Sequence, residues 1–387
     1  MTEARRLKIV IAPDSFKGSS TSARVAMAIE RGVRMVFRGA EIVRVPIADG
    51  GEGTVEAVTV ASGGVLREIN VTGPTAEIVA ASYGLLPDDR GVIEMASASG
   101  LPLVSEDQRN PELTTSRGTG ELIRDALGQG CRELLIGIGG SATNDGGAGM
   151  ASALGYRFLD SHGAEIEPQG GSLGLIRQID RSAADPRIAM TRISVACDVT
   201  NPLLGPEGAS AIYGPQKGAD PAMVERLEAG LVNFNRRLVA DLASDVANVP
   251  GAGAAGGLGA GLMAFCGAQL KSGIEAILDI VRFDEQISGA DLILTGEGAI
   301  DGSTTYGKVP VGIARRARGV PVIAVVGNIG RGAEAVHEHG IKAIMSTANG
   351  VMTIHEAMER SEELLEDAAK RLMRIIEVGM SLQSRNR

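Results

Sequence analysis

Seven carboxylates, Asp14, Asp49, Glu52, Asp145, Asp198, Glu297 and Asp301, cluster in a few segments of this sequence, most of them beside glycine. Three lysines, Lys17, Lys217 and Lys308, also have glycine neighbours, in a chain with only seven lysines against 31 arginines. An ammonium is a compact point charge that can follow a moving phosphoryl group, whereas the planar guanidinium suits fixed bidentate pairing. Carboxylates hold Mg²⁺ or accept the proton of an attacking hydroxyl. Lysine, carboxylate and flexible backbone together are the parts that phosphoryl transfer requires.

Five glycine-dense stretches carry most of these groups: residues 13–18, 49–54, 137–147, 251–261 and 295–308. Glycine lets successive backbone N–H groups converge, and converging N–H groups bind phosphate, best above a helix N-terminus. A tight turn explains any one stretch as well; five near strand ends favour phosphate. Two familiar motifs are half-matched. Gly302, Gly307 and Lys308 fit GxxxxGK, but Val309 stands where Ser or Thr would meet Mg²⁺. Gly137, Gly139 and Ala142 form GxGxxA after a strand-like run, with Asp160 about twenty residues on, as in a nicotinamide-dependent hydroxyacid dehydrogenase. Against that reading, Gly146, Gly147 and Gly149 weaken the helix that should follow. A non-catalytic nucleotide-binding regulator is the third class. His162, His337, His339 and His355 all fall outside these stretches, which leaves a histidine-centred mechanism little support.

Segments so far apart in sequence must be gathered by α/β layers. Residues 7–12 read as a buried strand, followed by a Ser/Thr-rich helix start at 19–22, a helical pattern through Val36 and a strand at 42–46. The same syntax returns at 290–295 and 321–326, each run ending in glycine, so both ends of the chain predict one open parallel sheet with ligands at its carboxyl edge. Between 66 and 95, strands at 67–71, 77–84 and 91–95 are joined by turns too short for crossover helices, which is antiparallel syntax. The expected architecture is a parallel-sheet α/β domain, residues 1–65 and 286–387, split by an inserted α/β (α+β) domain, residues 66–285. A final helix over 355–378 sets Met358, Leu365, Leu372 and Ile376 on one face.

Composition narrows the partners. The 387 residues are 44% hydrophobic and 22% charged, with a net charge of −9 and only 3% aromatics. That opposes nucleic-acid binding, which needs phosphate-neutralising cations and stacking platforms. Cys131, Cys197 and Cys266 are odd in number and widely spaced, which points to a reducing cytoplasm and no zinc site. Arg5, Arg6 and Lys8 precede too few apolar residues for a signal peptide. The uncharged stretch 246–270 has Gly253, Gly257 and Gly261 at GxxxG spacing, but is too glycine-rich to insert in a membrane. No membrane partner is expected, and a homodimer is compatible with the sequence.

Taken in order, residues 11–18 (IAPDSFKG), 46–54 (PIADGGEGT), 137–145 (GIGGSATND), 196–203 (ACDVTNPL), 214–218 (GPQKG), 253–261, 295–298 (TGEG) and 307–310 (GKVP) resemble the type-1 glycerate kinases over nearly the whole chain. One departure is Ser303, where the family carries Gln. The resemblance implies a flavodoxin-like domain split by an inserted one, with the active site in the cleft, and ATP-dependent phosphorylation of D-glycerate, usually at the 2-hydroxyl, with Mg²⁺ in the cytoplasm; a 3-phosphoglycerate product is the alternative. The mechanism we expect on these residues has Lys17 and the backbone around Ser15 hold the glycerate carboxylate, Asp198 orient the hydroxyl and take its proton, and Lys308 neutralise the transferring group. Asp49 and Glu297 would carry Mg²⁺. Gly139, Gly140, Ser141 and Asn144, with Gly256 and Gly257, would hold the nucleotide phosphates.

Overall fold

Buried runs of Ile, Val and Leu from both ends of the chain pair into one parallel sheet in the computed structural model, which describes residues 6–48 and 53–385. Two compact units are present: Met1–Asp49, Val60–Ser62 and Ile277–Arg387 form one, Gly50–Thr59 and Gly63–Ala276 the other. The first unit holds a five-stranded parallel sheet. Across it the strands run Glu41–Arg44, Lys8–Pro13, Leu292–Gly296, Val322–Val326 and Ile341–Ser346. Counted along the chain this is the order 2-1-3-4-5 of flavodoxin-like sheets, and it reverses direction between Lys8–Pro13 and Leu292–Gly296. Ile9, Val10 and Ile11 are fully buried in the middle of it, as a strand covered on both faces requires.

Helices Ser22–Val36 and Ser361–Arg385 pack on each other beside this sheet. The contact is close because residue 32 is glycine: a Cβ there would meet the carbonyl of Glu366. Arg31 donates to Glu366 (2.6 Å) at the rim of the contact. The expected single final helix is two helices, Ile354–Glu359 and Ser361–Arg385. Leu365 and Leu372 are buried on the long one, but Met358 belongs to the short one and is 39% exposed. Thr353 and Glu356 form a capping box that starts the short helix, the T-x-x-E signal that marks a new N-terminus.

The second unit is built on a six-stranded mixed sheet. Val65–Thr72, Ile78–Leu86 and Arg90–Glu94 are antiparallel, and Arg90–Glu94 continues in parallel to Glu133–Gly137, Arg192–Ala196 and Gln269–Lys271. Phe158, Phe234 and Phe265 meet in its core with ring centroids 6.0–6.2 Å apart. The chain enters and leaves this unit earlier than residues 66 and 285. Val55 N donates to Glu94 Oε1 (2.7 Å), tying the start of the Thr54–Ala61 helix to the second sheet. At the other end, Arg316 holds Asp279 (2.8 Å) and Asp284 (2.9 Å), which secures that segment to the first unit.

The glycine-rich run 246–270 contains the helical segment Ala254–Cys266, broken by left-handed backbone at Ala255, Gly256 and Gly257. Among the described residues no helix is long and apolar enough to cross a membrane.

Candidate active site

The strand-order reversal of the first sheet places two chain crossovers on opposite faces and leaves a crevice at the carboxyl edge, where open α/β sheets bind ligands. Both flanking strands end there. Asp14 N donates to Gly296 O (2.8 Å) and Thr295 Oγ1 to Ala12 O (2.9 Å), so the segments after the two strands leave side by side. After the first, Ser15 N donates to Asp14 Oδ1 (2.6 Å), and Phe16 pairs with Ser20 to throw out a turn with exposed Lys17 at its tip. Gly18 closes that turn at φ +79°, a left-handed conformation that glycine adopts without strain.

Glu297 follows the second strand and is 6% exposed. Thr304 Oγ1 donates to its Oε1 (2.7 Å). Burial pushes the Glu297 carboxyl up to about 7; Thr304 and the Lys308 charge pull it down, while Asp14 and Asp301 add to the rise. Lys308 is exposed and caps the helix Val309–Arg316. Gly307 at φ +96° and Pro310 in the first turn set its direction. Asp14, Ser15, Lys17, Glu297 and Lys308 all line one cavity of about 670 Å³.

Segment 302–308 is not a phosphate loop of the GxxxxGK kind. Gly302–Tyr306 is a 3₁₀ turn capped by Asp301, whose Oδ1 accepts from Ser303 N (2.8 Å). Ser303 is exposed and its hydroxyl also donates to Asp301, so this departure from the family pattern is absorbed in a local turn.

The second unit holds the remaining residues. Strand Glu133–Gly137 runs into a turn with Gly139 and Gly140 exposed, then into a fully buried segment, 141–150. The turn is tied inward through its carbonyls: Gly140 O accepts from Leu101 N (2.8 Å), Ala142 O from Thr114 Oγ1 (3.0 Å) and Thr143 O from Lys217 Nζ (2.6 Å). Lys217 is 1% exposed and donates also to Ser141 Oγ (2.7 Å). Asp145 is fully buried and accepts from Ser116 N and Oγ, Gly147 N and Gly149 N, an interior anchor rather than a surface carboxylate. Burial raises its carboxyl above the usual range while those four donors pull it down.

Burial pushes the Lys217 ammonium down to about 7, with the Asp145 charge acting the other way. An unfolded lysine titrates near ~10.4. Between those two values the unfolded chain holds a proton that the folded chain has released, so this group makes folding more favourable as pH rises through the window. Wild type is therefore expected to gain stability over Lys217→Met between about pH 7 and pH 9, read from urea midpoints. A gap that stays constant would mean that the ammonium keeps its proton when buried.

The nicotinamide fingerprint fails on local structure. No helix follows Gly137 until Ala148–Ala153, and that helix has only six residues. Asp160 turns a loop, accepting from His162 N (2.8 Å) and Ala164 N (2.9 Å).

Of the nucleotide candidates, Ser141 and Asn144 are buried, with Asn144 Nδ2 donating to Ser210 Oγ (3.1 Å). Gly256 and Gly257 are buried too. A Cβ on Gly256 would fall on the Thr143 carbonyl and one on Gly257 would press Gly146, so both allow close backbone packing. Asp198 is exposed just past Arg192–Ala196 and accepts from Gly273 N (2.8 Å). Asp49 lies outside the described residues. Ser15, Lys17, Glu297 and Lys308 are thus gathered in the first unit, whereas Asp198 and all six glycine-loop candidates belong to the second. Asp14, given no individual role from sequence, lines the same cavity; its place directly after the first strand was the available signal.

The model of the glycerate kinase family matches residues 9–377. Over 377 residues the chain is 49% identical to the glycerate 2-kinase of Escherichia coli (strain K12), spanning 97% of this chain and 99% of that protein. It is 50% identical over 367 residues to the glycerate kinase of Halalkalibacterium halodurans, with 94% and 97% covered. A crystal structure from Salmonella typhimurium LT2, described as a candidate glycerate kinase 2, superposes with a TM-score of 0.89 at 46% identity, over 97% of this chain and 100% of that one. A crevice at the strand-order reversal and a likeness spanning both units lead to one conclusion: the chain belongs to the glycerate kinase family.

Proposed function

We propose that the protein transfers the terminal phosphoryl group of ATP to the 2-hydroxyl of D-glycerate, with Mg²⁺, in the cytoplasm. The observation that carries this reading is the convergence of two lysines and two carboxylates on one cavity at the switch point of the first sheet. Lys17, with the backbone around Ser15, holds the glycerate carboxylate. Lys308 stabilises the charge that spreads over the phosphoryl oxygens as the bond to ADP breaks and the bond to the 2-oxygen forms.

Among the described residues no three His, Cys, Asp or Glu side chains group closely enough to hold a metal ion. Mg²⁺ is commonly carried by one or two carboxylates together with phosphate and water oxygens. Asp14 and Glu297 fit that pattern: burial raises the Glu297 carboxyl and the Asp14 charge adds to the rise, a repulsion a dication relieves. When bound, the ion supplies neutralisation of phosphate charge. The carboxylates of this chain orient it.

In the second unit, the exposed Gly139–Gly140 turn suits an anionic group of a substrate. Asp198 is the proton acceptor in this mechanism. Asp198→Asn is expected to lower kcat by about 10²–10⁴-fold, the usual cost of losing a general base. A fall of less than about tenfold would remove it from that role.

The activity test is glycerate-dependent release of ADP, followed by phosphorus NMR of the product. Phosphorylation at the 2-position couples phosphorus to one carbon-bound proton and gives a doublet. A triplet would identify the 3-phosphate and overturn the regiochemistry. Nucleotide binding with no turnover would instead support a non-catalytic regulator.

A further inference from the structure

The first unit's cavity, about 670 Å³, is much larger than a three-carbon acid needs; pockets of about 300–1,000 Å³ hold drug-sized molecules. Its wall has two chemistries. Part of the lining is charged, Asp14, Lys17, Glu297 and Lys308, and part is apolar, Met352, Ile354, Ala357 and Met358. Ile354 is 81% exposed, so this apolar part stands open rather than being folded away. We propose that the apolar wall seats the purine base of the nucleotide, whose phosphates run toward Lys308, with Lys17 left to the glycerate carboxylate. The inference rests on the ATP-dependent reading above and names where the base goes.

The wall is held in fixed relation to the lysine turn. Thr353 N donates to Glu356 Oε2 (2.8 Å) and Glu356 N to Thr353 Oγ1 (3.2 Å), which pins the start of the Ile354–Glu359 helix. A Cβ on Gly18 would come within 2.7 Å of Met358 Cε, so the turn that presents Lys17 rests directly against the wall. Ser19 and Ser20 both reach Ser361 (3.4 Å), fastening the same turn to the start of the long helix that follows. Positive charge and apolar surface therefore keep a set separation.

A ligand that uses both kinds of lining has an anionic tail and a flat, weakly polar head, which describes a nucleoside triphosphate. An apolar protein segment would use only one kind. The chain has no Trp and few other aromatics to stack on a base. Methionine is the available substitute, because its polarizable thioether makes favourable contacts with aromatic rings.

The test is calorimetric titration of ATP and of inorganic tripolyphosphate, which has the tail and no base, into the full-length wild type, Ile354→Asn and Met358→Gln. Wild type is expected to bind ATP at least about tenfold more tightly than tripolyphosphate, or 1.4 kcal/mol. Each substitution is expected to bring ATP down to roughly the tripolyphosphate affinity and to leave tripolyphosphate binding unchanged. Equal affinity for the two ligands in wild type, or equal losses of both in the variants, overturns the proposal. So does dissociation of an oligomer by Ile354→Asn with ATP affinity intact, since the wall would then face a second copy. If base-dependent binding follows this pattern but glycerate releases no ADP, the kinase reading fails and the base seat stands.

Discussion

Lys308→Met is expected to lower kcat by about 10²–10³-fold, the usual cost of removing one preorganised charge stabiliser from a transition state. The side chain is exposed, so the fold should persist. Its backbone is set by Gly307 at φ +96° and by the helix it caps, which fixes where the side chain starts. Its charge already acts on Glu297 across the cavity. Because the stabilised charge develops during transfer, kcat should fall much more than KM for ATP rises. Lys308→Arg should recover part of the loss, since charge returns but the planar fork cannot follow the phosphoryl group as a point charge does. Steady-state kinetics with saturating glycerate decide it: a fall in kcat below about fivefold for Lys308→Met would separate this lysine from the transferring group.

Gly256→Ala is expected to destabilise the protein by more than about 3 kcal/mol, enough to deplete the folded form. Two costs add. Gly256 is at φ +66°, where a Cβ is strained whatever the surrounding space, and the added Cβ would fall on the Thr143 carbonyl oxygen. The neighbours cannot step aside, because Gly256 O also accepts from Gly146 N (3.0 Å) and Thr143 O is held by Lys217. Gly139→Ala is the control: nothing lies within 4 Å of its Cβ position, so the change should stay within about 0.5 kcal/mol. Urea midpoints of the two variants measure the contrast. Similar midpoints would mean that the 143–146 and 256–257 segments are not the close-packed pair described here.

That contrast explains why the glycine-rich stretches were only partly legible. Gly139 and Gly256 both lie in glycine-rich stretches, and both suggest converging amides. One is exposed in a turn whose carbonyls are tied inward, and the other is a backbone-to-backbone contact in the interior. Whether a glycine serves a ligand or a neighbouring chain segment depends on what packs against it, and in this chain those neighbours lie more than a hundred residues away.

The alternation of buried strands and amphipathic helices, the antiparallel run between 65 and 94, and the strand ends bearing Asp14 and Glu297 follow from local pattern, because burial periodicity and turn chemistry act over a few residues. The sequence by itself thus determined the fold class and which side chains could do chemistry. Tertiary structure alone decided that Lys17 and Lys308, nearly three hundred residues apart, share one cavity, that Lys217 and Asp145 are interior anchors, and that Met358 leaves the long helix to face that cavity. These outcomes depend on strand order and close approach between distant segments, which no spacing along the chain encodes.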